Sequence, residues 1–595
     1  MCAFALLAAG AGRAASNPGG LSWRSLRWDG VSSSPRTRPA APASVIVRAR
    51  PRAERRIEAA VRHLGGTVRL RLPLINGFAA TMPSAALEQL RRTPGVISVS
   101  PDRRIQPLGQ SYSAYDASSD LGSMYNVTLM TGAQAYWKAG FTGKGVDVAL
   151  IDSGVAPVDG LAGRIVSAAD LSFESQASNL SYLDSFGHGT HMAGIIAGRS
   201  SGAVSGQYAG DTSNFLGMAP DARIVSVKVA DAHGATDVSQ VIAAISWVVQ
   251  HRNDNGLNIR VLNISFGTNS TQDYMIDPLA FAAEQAWKKG IVVVAAAGNA
   301  GFSSAGSLTS PARDPLLLAV GATDPNGTVA LGDDKVASFS SSGSSAGAHA
   351  SGRSVDLVAP GSHIVSLRDP GSLIDQTYGS TGAVTGDLFR GSGTSQAAAM
   401  LSGAAALVIQ QRPSITPDQL KRLLMTTTIK LSKSQNSAQG AGELNLGTAL
   451  NTATPSVSQK GAPTPGSGTG SLEAARGSNH LVMDGITLSG ERDIFGAPFG
   501  SAAMAKLEAS ASSWSGGNWN GNSWSGNSWS SSSWSASSWS TSSWSASSWS
   551  GSSWSSVLWS ASSWSANSWS TSSWSANNWL GGGWADDTWA DASWN

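Results

Sequence analysis

Short β-branched runs without polar alternation recur between Gly122 and Thr452, at residues 146–152, 223–229, 260–265, 291–295 and 316–320. Helical patterns lie between several of them, as at residues 238–250 and at residues 278–289, which Gly290 stops. A strand that is apolar on both faces has to be covered on both. Parallel strands also need long crossovers. The alternation therefore predicts an α/β domain over residues 122–452, a parallel sheet with helices on both faces. Near its end, Thr416-Pro417-Asp418-Gln419 combines an N-cap, a Pro at the first helical position and a capping-box Gln.

The flanking segments have other signatures. Residues 45–108 read as β-α-β-β-α-β, with Gly65-Gly66 stopping the first helix, and predict a small ferredoxin-like α+β domain. Residues 1–44 are a signal-like segment and linker: the apolar run in residues 3–9 and the small residues after it are similar to the later part of a secretory signal. This gives the expectation of a secreted or cell-surface protein. Residues 453–470, rich in Pro, Gly, Ser and Thr, read as a linker, and residues 471–513 as a short connecting segment. From Trp514 to Trp594 a Trp stands at every fifth position, a low-complexity repeat tail over residues 514–595. Five residues turn a helix by about 140° and change face on a flat strand, so neither yields one Trp stripe. A repeating turn aligns them, or the tail is disordered; both readings stay open.

Composition narrows the function classes. A net charge of +2 on 595 residues argues against a nucleic-acid partner. The single cysteine, Cys2, excludes an intramolecular disulfide. No apolar run reaches the ~18 residues of a transmembrane span.

Chemistry concentrates in three separated blocks. Asp152 ends the apolar run Val148-Ala149-Leu150-Ile151-Asp152, at the carboxyl edge where open α/β sheets place their sites. His188 opens a helix of small residues in Gly187-His188-Gly189-Thr190-His191, and Ser395 precedes a nearly all-apolar helix in Gly393-Thr394-Ser395-Gln396-Ala397. A nucleophilic serine needs a base for its proton, and the base needs a carboxylate to fix its tautomer. The chain order Asp, His, Ser is one in which that geometry recurs. Asn299, after the buried run at residues 292–297 and Gly298, supplies an amide suited to an oxyanion.

Together these residues resemble the subtilisin-like (subtilase) family of serine proteases. The resemblance implies that Asp152 orients the imidazole, His188 is general base and then acid, Ser395 is the nucleophile and Asn299 assists the oxyanion. His191 is structural by the same comparison. Ser265, Phe266 and Gly267 match the strand that pairs with an extended substrate, Ala296, Ala297 and Gly298 the S1 wall, and Ser310-Pro311-Ala312 a segment near the pocket base. Two residues depart from the pattern: Gln396, where an apolar side chain is usual, and Thr268, where a glycine is common and a narrower pocket rim is expected. Residues 45–108 look like the family's inhibitory propeptide, with the cleavage junction between Pro107 and Leu121.

The implied partners are protein or peptide substrates, the chain's own prodomain, and a cell-wall or polysaccharide ligand for the tail. No cofactor is implied apart from calcium as a structural ion. Asp211, Ser213 and Asn214 lie near the family's loop position without EF-hand spacing, so no metal ligand is assigned. The function expected is a secreted serine endopeptidase made as an autoprocessed zymogen. The alternative is a surface binding or adhesion protein with a non-catalytic core of the same fold.

Overall fold

The computed structural model describes residues 43–102, 115–177, 179–301, 308–343, 353–432, 434, 436–458, 462–483, 486–524 and 575–577. Nearly all of the signal-like segment, much of the expected junction and most of the repeats after Trp524 lie outside the described residues. The chain divides into two compact units, Met1–Ser111 and Tyr112–Asn595.

In the first unit the described elements are β1 (Ala43–Ala49), α1 (Glu54–His63), β2 (Thr67–Leu72), β3 (Gly77–Met82), α2 (Leu87–Arg91) and β4 (Val96–Pro101). The strands form an antiparallel sheet in the order β2-β3-β1-β4. This is the β-α-β-β-α-β arrangement read from the sequence. The turn between β2 and β3 passes through Asn76 at φ +48°, a left-handed position that Asn tolerates. Val45, Val47, Ile57, Val61, Phe78, Met82 and Leu90 are buried together as the core of this unit.

The second unit opens with two short helices, α3 (Met124–Met130) and α4 (Ala133–Lys138). It continues with β5 (Asp147–Asp152), β6 (Ile165–Asp170), α5 (His188–Ala197), β7 (Arg223–Lys228) and α6 (Val238–His251). Next come β8 (Ile259–Ile264), α7 (Pro278–Lys288), β9 (Val292–Ala296), β10 (Leu318–Asp324) and β11 (Lys335–Val336). After these lie β12 (Leu357–Pro360), β13 (Ile364–Leu367), α8 (Leu373–Gly382), β14 (Leu388–Gly391), α9 (Thr394–Gln411) and α10 (Pro417–Thr426). Parallel pairings run β6-β7-β5-β8-β9-β10-β12, and β11 joins the β10 edge antiparallel.

Chain order reverses direction at β5. Strands β7 and β6 lie to one side of it and β8 onward to the other, which opens a crevice at its carboxyl end. All six β5 residues are buried, as a strand covered on both faces requires. Helices α5 and α9 pack on each other, as do α6 and α7, and both pairs pack on the sheet. The first sixteen residues of α9 are all buried; their small side chains let this central helix approach the sheet closely. Local chemistry sets the ends: α6 starts with an Asp237–Gln240 capping box, and α7 with Asp277 ahead of Pro278.

The C-terminal part departs from the expected linker, connecting segment and separate tail. Residues 462–470 lie along the start of α7, where Gly466 N–H donates to Glu284 Oε1 (2.6 Å) and Gly470 N–H to the Ile276 carbonyl (2.7 Å). A Pro/Gly-rich stretch binds here through its backbone, which composition does not register. Leu472, Leu481, Ile494, Phe499 and Met504 join the main hydrophobic core, and so do Trp514, Trp519 and Trp524. Residues 514–523 form a three-stranded meander with turns at Gly516-Gly517 and Asn520-Gly521, all four at positive φ. Each tight turn reverses the chain within the five-residue step, so Trp514 faces Trp519 across the ladder. The first three repeats are therefore part of the folded unit.

Candidate active site

Asp152 is the last residue of β5 and His188 the first of α5. Both side chains are 1% exposed, and His188 Nδ1 lies 2.9 and 3.1 Å from the two Asp152 oxygens. Asp152 Oδ1 also accepts from the Ser153 N–H at 2.8 Å, which fixes the carboxylate plane. In the neutral imidazole this pairing puts the proton on Nδ1 and makes Nε2 the basic nitrogen.

Sequence reasoning did not find what fixes the start of α5. Asp184 accepts from the Gly187 and Thr190 N–H groups, the Thr190 hydroxyl and the Ser153 hydroxyl, all at 2.7–2.8 Å. The Ser153 hydroxyl in turn accepts from Gly189 N–H at 3.0 Å, tying the end of β5 to the first turn of α5. The signal was present as an Asp just before a Gly-His helix start, the usual way of satisfying orphan N–H groups. His191, one turn on, lies 3.2 Å by Nε2 from the Phe389 carbonyl. Burial, reinforced by His188, holds its imidazole down to about 3, so it stays neutral.

Ser395 stands in the first turn of α9, buried, with its hydroxyl donating to the Ser265 carbonyl at 2.9 Å. The helix N-terminus points partial positive charge at this hydroxyl. Asn299 lies beside it: its Oδ1 accepts from both the N–H and the hydroxyl of Thr394, each at 2.9 Å. The Thr394 hydroxyl in turn accepts from Gly298 N–H at 3.1 Å, so its own proton is committed to Asn299. This fixes which end of the amide is oxygen and leaves Nδ2 as a donor.

Gln396 follows Ser395 and is 1% exposed. Among the described residues neither its Nε2 nor its Oε1 has a hydrogen-bond partner.

The three segments expected to wall the pocket come together through Thr309. Its hydroxyl donates to the Ala296 carbonyl at 3.2 Å and its N–H to the Ala297 carbonyl at 3.1 Å. Ser310, ahead of the cis peptide to Pro311, exchanges two backbone bonds with Thr268 (2.8 and 2.9 Å). A side chain at Gly267 would put a carbon 2.4 Å from the Thr309 hydroxyl, and Gly298 sits at φ +109°. Both positions require glycine. Ser265 and Phe266 are buried in continuation of β8, and the Ser265 hydroxyl donates to the Ser395 carbonyl at 3.3 Å.

Thr268 departs from the expectation of a narrower rim. Its side chain is fully buried, and its hydroxyl donates to the Ala475 carbonyl at 2.6 Å, with Thr271 N–H donating to Ala474. The acceptor comes from the C-terminal segment, whose composition carries no sign of this contact.

Asp211 is engaged by its own loop, accepting from Ser213 N–H, Asn214 N–H and Asn214 Nδ2 at 2.8–3.1 Å. No group of three His, Cys, Asp or Glu side chains forms a metal-ligand cluster among the described residues.

The subtilase family model matches residues 143–442, half of the chain, and a putative peptidase inhibitor domain matches residues 30–102. Serine protease AprX of Bacillus subtilis (strain 168) is 40% identical over 307 residues, 51% of this chain and 66% of AprX; the chain spans just under two thirds of that relative. Subtilisin E of the same organism is 32% identical over 373 residues, 62% of this chain and 80% of that protein. The solved structure described as a cold adapted subtilisin-like serine proteinase aligns over 51% of this chain and 90% of its own, at 31% identity and a TM-score of 0.37.

Proposed function

Since the chain belongs to the subtilase family of serine proteases, we propose that it is a secreted endopeptidase cleaving extended protein substrates through an acyl-enzyme on Ser395. The observation that carries the reading is the buried Asp152–His188 pair, which holds an imidazole in the tautomer a serine nucleophile needs. The Ser395 hydroxyl turns from the Ser265 carbonyl toward His188 and attacks the scissile carbonyl carbon as Nε2 takes its proton. The negative charge forming on the carbonyl oxygen meets Asn299 Nδ2 and the Ser395 N–H, the dipole end of α9 adding to both. Collapse breaks the C–N bond, and His188 returns the proton to the leaving amine. Water, deprotonated by His188, then releases the acid and restores the serine.

The strand continuing β8 through Ser265, Phe266 and Gly267 pairs with the substrate backbone, and Ala296, Ala297 and Gly298 line its S1 side. The inhibitor-like unit acts as a propeptide, removed autocatalytically near residues 107–121. The tryptophan repeats tether the enzyme to a cell-wall or polysaccharide surface. Expression of Ser395→Ala tests the zymogen reading: the variant accumulates at precursor size and hydrolyses no peptide. Processing to mature size in that variant would contradict autocatalysis.

A further inference from the structure

A pocket of about 480 Å³ shares no lining residue with the site around Ser395. It is lined by Trp247 and His251 of α6, Trp514 and Trp524 of the repeats, and Ser175 and Tyr182 of the loop after β6. The Trp247 and His251 rings stack 4.4 Å apart at 14°. Trp514 is anchored by Nε1 to the Ala243 carbonyl at 2.9 Å, and its backbone exchanges bonds with the Gln250 amide at 3.0 and 2.8 Å. The aromatic surfaces are thus held in place before any ligand arrives.

The polar groups around them are neutral or already engaged. The Ser175 hydroxyl is buried with no hydrogen-bond partner among the described residues. His251 Nδ1 is taken by the Trp247 carbonyl at 2.8 Å, which leaves Nε2 as an acceptor. Asp170, the one Asp, Glu, Lys or Arg among the described lining residues, accepts from the Ser172 hydroxyl and the Tyr182 N–H. Tyr182 sits at φ +67°, a costly conformation for a bulky residue, and is 43% exposed.

Fixed ring faces beside uncharged donors and acceptors suit a ligand with an apolar C–H face and hydroxyl edges. An anionic ligand meets no cationic side chain among the described lining residues, the Asp170 oxygens are already occupied by Ser172 and Tyr182, and an aliphatic chain leaves Ser175 unpaired. The volume falls in the ~300–1,000 Å³ range of small-molecule sites. We propose that this pocket is a carbohydrate subsite for neutral pyranose rings, built jointly by the peptidase core and the first tryptophan repeats. It rests on the tethering reading of the repeats and localises it.

The test is affinity electrophoresis of the full-length chain, in the Ser395→Ala background to prevent self-cleavage, through gels containing soluble β-glucan, xylan or galactomannan. At least one of these retards the protein, free oligosaccharide relieves the retardation, and Trp247→Ala weakens it tenfold or more. Trp247→Phe keeps part of it, and Tyr182→Ala, at an exposed site, weakens it without changing the melting temperature. Retardation that survives Trp247→Ala overturns the pocket and leaves tethering to the later repeats. No retardation in any gel overturns both. Relief by a Trp-Ser repeat peptide but not by oligosaccharide makes the pocket a dock for the chain's own repeats and overturns the carbohydrate assignment.

Discussion

The Asn299 side-chain oxygen accepts two hydrogen bonds from Thr394, from its N–H and its hydroxyl, each at 2.9 Å. The amide beside Ser395 is thereby pre-set with its nitrogen as donor, which in the proposed reaction needs no reorganisation. Asn299→Ala is expected to lower kcat by about 10²–10³-fold, roughly 3–4 kcal/mol, with KM little changed. Steady-state kinetics on a peptide anilide check this. A rise in KM at constant kcat would assign Asn299 to ground-state binding.

Gln396 buries an amide that finds no partner among the described residues. Replacing it by an apolar side chain of similar length removes that desolvation penalty. Gln396→Met should raise stability by about 1–3 kcal/mol, seen as a higher denaturation midpoint. A lower midpoint would mean the amide is paired in solution.

Arg476 and Asp237 form an ion pair at 2.7 Å with both side chains fully buried. Asp237 also caps α6, and the neighbouring Ala474 and Ala475 carbonyls hold Thr271 and Thr268 just after Ser265-Phe266-Gly267. Arg476→Ala leaves a buried carboxylate unpaired, at a cost of about 3–5 kcal/mol, and should lower kcat/KM as well. Chemical denaturation and peptidase assays read the two effects. Wild-type values in both would make the C-terminal segment a passive appendage.

Asp369 introduces a pH dependence. Burial, with Asp184 and Asp375 nearby, pushes its carboxyl up to about 9. The native state therefore keeps a proton that the unfolded chain releases above about pH 4. The stability this gives is fully present below that pH and is lost as pH rises through about 9. Melting curves of Asp369→Asn against wild type should diverge in favour of the variant from pH 5 to 9, then run parallel. Curves parallel throughout would refute the shift.

The sequence carried much of this architecture because its signals are local. Unalternated strands such as β5, caps such as Thr416–Gln419 and the βαββαβ order of the first unit are all written within a few residues. The three blocks around Asp152, His188 and Ser395 stood out because each pairs a reactive side chain with small neighbours on its expected element. What stayed hidden depends on contacts far apart in sequence. Thr268 looked like a rim residue until Ala475 supplied its acceptor, 207 positions away. The linker reading failed because residues 462–470 bind by backbone groups, which any composition possesses. The Trp period was visible, but the paired turns at Gly516-Gly517 and Asn520-Gly521 decide that its first members face inward.

In the proposed reaction Ser395 is a nucleophile activated by His188 and Asp152. Labelling the purified chain with a fluorophosphonate and locating the adduct by mass spectrometry tests it directly. The adduct is expected on Ser395 alone, with labelling slowed by several orders of magnitude in His188→Ala. Equal labelling of wild type and Ser395→Ala, or an adduct on another serine, would contradict it.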